Sequence, residues 1–106
     1  MADIEKQKIM RLYERQFESG QDKQAFIDSV SRLEVRLSAV DVDFRLYQSE
    51  SHDLHLTEIW FYPDKDTMHW VRGIIDRSSA LLTQFNVRTR SDTFALCASF
   101  AISEED

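Results

Sequence analysis

A chain of 106 residues has the size of one domain, able to bury roughly 60–70% of the surface its unfolded form exposes and so to build a single core. Its formal net charge of −6 repels phosphate backbones and argues against non-specific nucleic-acid binding, and no apolar run approaches the ~18–20 residues of a membrane span. With 42% hydrophobic residues, including seven Phe, three Tyr and two Trp, the composition is that of a folded globule and excludes disorder over its bulk.

In chain order, residues 1–7 and 104–106 are expected to be flexible polar ends around one domain spanning 8–103. "MADIEKQK" at the start lacks the apolar core of a signal peptide, so a cytoplasmic setting is the expectation. "KIMRLYERQF" (Lys8–Phe17), followed by Ser19-Gly20, predicts a first strand and a turn. Phe26, Val30, Leu33, Leu37 and Val40 then recur at helical spacing and mark one face of a first helix. "VDFRLYQS" (Val42–Ser49) and "LHLTEIWFY" (Leu54–Tyr62), joined by a polar turn, predict a hairpin. Pro63 ends it, and Asp64 or Asp66 caps a second helix carrying Met68, Val71, Ile75, Ser78 and Leu82. Alternation from Thr93 to Ser103 predicts the last strand, with Cys97 as a small buried thiol.

The order βαββαβ implies an α+β, ferredoxin-like two-layer sandwich: two amphipathic helices on one face of a four-stranded antiparallel sheet. The other face is expected to carry Tyr13, Phe17, Tyr47, Ile59, Phe61, Ala95, Cys97 and Ala101. So apolar a face predicts a homodimer through the sheet.

From Leu56 to Val71 the chain reads "LTEIWFYPDKDTMHWV". Glu58-Ile59-Trp60, an acidic turn and His69, nine residues past Trp60, together resemble the antibiotic-biosynthesis monooxygenase-like dimeric α+β barrels. "FRLYQSES" looks like that family's second strand and hairpin, and the resemblance runs from Arg11 to Phe100. It implies a homodimer with a pocket between sheet and helices, binding an aromatic, quinol or polyketide-like molecule. It also implies chemistry with no metal and no flavin or other cofactor, in which the substrate's own carbanion reacts with oxygen. The sequence departs from the family at three places. Leu56 stands where some oxygenating members carry Asn, Ser79 where haem-degrading members carry their axial His, and "AVDVD" where a Gly-containing turn follows the first helix.

Strand alternation groups Leu56, Glu58, Trp60 and Tyr62 on one face. If that face meets the helices, Glu58 and Trp60 are the candidate catalytic pair, as base and stacking wall, and Leu56, Tyr62, Phe26 and Val71 line the pocket. A carboxylate in an apolar site has its pKa raised, which suits proton abstraction. The helical wheel sends His69 to solvent with Lys65, Arg72 and Asp76, and leaves Trp70 to packing or an interface. His52 and His55 have a spacing that could hold a metal with Glu50, but zinc sites need three or four convergent ligands, no Cys is near, and polar residues belong in a hairpin turn anyway, so no metal is expected. Arg11, Tyr13, Arg15, Arg45 and Tyr47 share a parity that RNA-recognition sheets use, yet "LHLTEIWFY" lacks the matching signature and nucleic acid is not the expected partner. A non-catalytic dimerisation or ligand-binding module of the same fold is the competing reading.

Overall fold

The computed structural model describes residues 8–32, 41–77 and 87–102, with the backbone alone for residues 76–77. The described elements are β1 (Ile9–Phe17), α1 (Gly20–Ser31), β2 (Asp43–Gln48), β3 (His55–Tyr62), α2 (Lys65–Arg77) and β4 (Val87–Ala95). Leu33, Leu37, Val40, Ser78, Ser79 and Leu82 lie outside the described residues.

Local chemistry fixes the boundaries. Ser19 holds an extended backbone and its Oγ accepts the Asp22 N–H at 3.1 Å, capping α1 just after β1 ends. Asp64 does the same for α2, its Oδ1 accepting the Thr67 N–H at 2.7 Å. That bond and those from the Thr67 side chain and the Asp66 N–H hold the Asp64 carboxyl below its ordinary value. Between β2 and β3, Ser49 Oγ accepts the N–H groups of Ser51 and His52, and the Lys23 ammonium ties the loop to α1 through Gln48 Oε1 and the Asp53 carbonyl.

The sheet order is β2-β3-β1-β4, all neighbours antiparallel, which is the ferredoxin-like arrangement predicted. Both helices lie on one face. α2 seals Ile9, Trp60, Tyr62, Met68 and Val71, whereas α1 seals Phe17, Phe26, Val30 and Leu56, and Phe44 packs against both groups.

Register corrects the predicted faces. Ile9, Arg11, Tyr13, Arg15 and Phe17 of β1 pair with Tyr62, Trp60, Glu58, Leu56 and the β3 entry, so Tyr13 and Phe17 lie under the helices. Arg45 and Tyr47 point the other way, opposite Ile59 and Thr57, and the five-residue Arg/Tyr surface considered for RNA does not assemble. Parity within a strand is read correctly from sequence, but parity between strands depends on register, which only the pairing fixes. On the outer face Met10 stands between Phe61 and Phe94, with Leu12 beside Ile59.

The last strand is also displaced: β4 covers Val87–Ala95, not Thr93–Ser103. Its final ladder bond runs from Leu96 N–H to the Lys8 carbonyl at 2.8 Å, at the start of β1. Residues 96–102 continue without strand pairing, leaving Leu96, Phe100 and Ile102 exposed and Cys97 exposed rather than buried. Ala95 pairs with Ile9 on the helix side, so it too leaves the predicted outer set, while Cys97 and Ala101 lie beyond the sheet.

Candidate functional site

β3 alternates strictly, and every second residue faces the helices: Leu56, Glu58, Trp60 and Tyr62 are 1%, 4%, 3% and 0% exposed. Phe26 from α1 and Val71 from α2 close over them, so the six residues singled out in the sequence share one buried layer. The Trp60 ring lies 4.6 Å from that of Phe44 and stacks nearly parallel to that of Tyr62 at 6.2 Å.

Glu58 sits at the seam between the two apolar groups. The Arg15 Nε donates to its Oε1 at 3.1 Å, and the Trp60 indole N–H donates to Oε2. Arg15 also donates to Thr89 Oγ1, and its guanidinium lies over the rings of Tyr13 and Phe26. A carboxylate among rings survives there because both oxygens are met by donors, one of them cationic. The contact unites β1, β3 and β4.

Beside this pair lies a second polar group that the wheel and parity readings missed. The Tyr13 hydroxyl accepts from Arg72 at 2.8 Å and from Arg11 Nε at 3.4 Å. Arg11 extends across β1 to β4, donating to Thr93 Oγ1 at 2.6 Å and Ser91 Oγ at 3.0 Å. The helical wheel places Arg72 in solvent with His69, but its long side chain turns back over the edge of the apolar face to reach β1. The alternation of Arg11, Tyr13 and Arg15 in β1 was the available signal, and it becomes legible once β1 is known to be central.

Tyr62 completes the layer. Its hydroxyl is buried and, among the described residues, has no hydrogen-bond partner. Burial pushes its pKa well above the usual tyrosine value; Tyr13 and Glu58 add to the rise, and Arg72 and Arg11 oppose it. His69 and Trp70 are exposed on the far side of α2, the tryptophan at 53%. His52 and Asp53 are exposed in the β2–β3 turn, and among the described residues no His, Cys, Asp or Glu cluster forms a metal site. No described helix is long and apolar enough to cross a membrane.

No protein-family model matches the sequence, and no curated protein matches it. Solved structures do share its fold. A dimeric ferredoxin-like protein from an uncultured marine organism superposes with a TM-score of 0.74 at 16% identity, over 95% of this chain and 97% of that one. SnoaB, a cofactor-independent oxygenase from Streptomyces nogalater, gives 0.70 at 10% identity, over 88% and 96%. A Deinococcus radiodurans protein classed by inference as an antibiotic biosynthesis monooxygenase gives 0.68 at 12%, over 90% and 98%. The chain therefore has an α+β ferredoxin-like fold found in proteins of this oxygenase group, in accord with the resemblance carried by Glu58-Ile59-Trp60.

Proposed function

We propose that this chain belongs to the antibiotic-biosynthesis monooxygenase-like proteins, holds a small aromatic molecule between its sheet and helices, and oxidises it without metal or flavin. The observation that carries the reading is the Tyr62 hydroxyl, fully buried and unpartnered among the described residues, in a ring-lined layer beside Trp60 and Glu58. An unsatisfied buried hydroxyl costs about 1–3 kcal/mol, and an oxygen of a bound quinol or phenol would remove that penalty. In this mechanism Trp60 stacks on the substrate ring and Glu58 takes the proton from a phenol or activated carbon. The resulting carbanion supplies the electrons that reduce oxygen; one oxygen atom enters the product and the other leaves as water.

The working unit in this reading is a homodimer through the outer sheet face. Met10, Leu12, Ile59, Phe61 and Phe94 form an apolar patch there, and the exposed Phe100 and Ile102 extend from the same strand.

One observation favours a second reading, a non-catalytic ligand-binding module. Both Glu58 oxygens already accept from Arg15 and Trp60, and Leu56 offers no hydrogen bond where some oxygenating members have Asn. Oxygen uptake against hydroquinones and anthrones decides between them. Turnover that falls on Glu58→Gln and Trp60→Phe supports the enzyme. Binding seen as a raised melting temperature, with no oxygen uptake from any substrate, leaves the module.

A further inference from the structure

Arg11 and Arg72 form a cationic group that the oxidation chemistry above does not use. They stand at the edge of the aromatic layer, half-buried, and converge on one atom, the Tyr13 hydroxyl. Among the described residues neither has a carboxylate within ion-pair distance, whereas Arg15 is matched by Glu58. Among the described residues Arg11 donates only to neutral hydroxyls, and Arg72 donates a single hydrogen bond, to Tyr13. Two unmatched guanidinium groups, brought together on one side of a protein of net charge −6, describe an anion site. The Tyr62 side chain is the independent sign of a ligand: the residue is 0% exposed, its hydroxyl has no hydrogen-bond partner among the described residues, and it faces the helices beside the β1 row that carries Arg11 and Tyr13.

Building on the aromatic-ligand reading, we propose that Arg11, Arg72 and the Tyr62 hydroxyl form a subsite for the carboxylate of an aromatic acid, whose ring lies against Trp60. Guanidinium forks match the planar, two-oxygen shape of a carboxylate, and the hydroxyl supplies a further donor. A phosphate dianion fits less well, because the Glu58 carboxylate, on the same β3 row as Trp60 and Tyr62, repels the added charge.

Calorimetric titration of the full chain with benzoate, salicylate, neutral benzamide and inorganic phosphate tests this. Benzoate or salicylate is expected to bind roughly ten-fold or more tightly than benzamide, and to lose at least about ten-fold in Arg72→Met and Arg11→Met. Arg88→Met, on the outer face, is the control and leaves binding unchanged. Arg72→Lys, which keeps the charge but not the fork, recovers part of the loss and separates lost recognition from lost folding. Benzamide binding as well as benzoate, unchanged binding in Arg72→Met, or no binding of either acid overturns the subsite. Phosphate matching benzoate overturns the aromatic-acid assignment in favour of a general anion site. The two proposals fail separately. Acid binding without oxygen uptake sinks the oxygenase chemistry and keeps the subsite, while hydroquinone turnover with no binding of benzoate or salicylate keeps the chemistry and sinks the subsite.

Discussion

Replacing Arg15 with methionine strips the Glu58 carboxylate of its cation while preserving most of the apolar stem. At 3.1 Å the pair attracts by about 5 kcal/mol if the effective dielectric constant is ~20. Removing two charges from water costs several kcal/mol per ion, so the intact pair stabilises the fold very little in net terms. Breaking it is different, because Glu58 is 4% exposed and keeps only the Trp60 N–H as a donor. The expected loss is ~3–5 kcal/mol, a large part of the ~5–15 kcal/mol stability of an ordinary domain. At ~4–8 °C per kcal/mol for a chain of this size, the melting temperature should fall by more than about 12 °C. The double variant Arg15→Met with Glu58→Gln, which buries no charge, should recover to within about 1–2 kcal/mol of the parent. Urea unfolding at one fixed protein concentration, followed by the fluorescence of Trp60 stacked on Tyr62, reads all three proteins. A single variant that loses less than about 1 kcal/mol would mean that water reaches Glu58, and the buried-pair argument would be wrong.

Other consequences can be checked as directly. Tyr62→Phe deletes an unpartnered hydroxyl and should raise stability by about 1–2 kcal/mol in the absence of ligand, while weakening binding of an aromatic acid. The same variant should flatten the alkaline limb of the stability profile. The folded state holds the Tyr62 proton above the ordinary value of 10.0, so its contribution is complete below that pH and declines as the unfolded tyrosine ionises at higher pH. Asp64→Ala should lower the melting temperature at neutral pH, and the difference should vanish as pH falls below the ordinary value of 3.8 and through the depressed folded value. Phe61→Asp, on the outer face, should leave the circular dichroism spectrum intact and shift sedimentation to a monomer; an unchanged dimer would refute association through that face.

The fold was legible in the sequence wherever a pattern is local. Helical spacing through Phe26 and Val30, the stop at Pro63 and the cap at Asp64 all depend on neighbours within a few residues, and the structure follows them. The buried row Leu56, Glu58, Trp60 and Tyr62 was legible for the same reason. What failed is non-local. The side of the sheet taken by Tyr13 and Phe17 depends on pairing with β3 rather than on β1 itself. The terminal alternation of Leu96, Ala98, Phe100 and Ile102 looks like a strand, but β1 begins at Ile9, and beyond the Leu96 N–H bond to the Lys8 carbonyl nothing among the described residues pairs with the segment. Arg72 was misplaced because a helical wheel follows Cα direction and ignores a side chain long enough to reach back to Tyr13.

Segment 94–102, "FALCASFAI", has no charged residue and no proline, and its four large apolar side chains, Phe94, Leu96, Phe100 and Ile102, are separated by small residues. Upstream, β4 carries Arg88, Arg90 and Asp92 along its outer face, charges that discourage stray edge pairing. No such guard stands within the segment itself, which has the composition of a cross-β seed. For a newly made chain, specific docking and irreversible deposition thus compete for the same stretch. Yield on expression should accordingly depend more on substitutions at Phe100 and Ile102 than on those in the core, and a charge placed there should trade assembly for solubility.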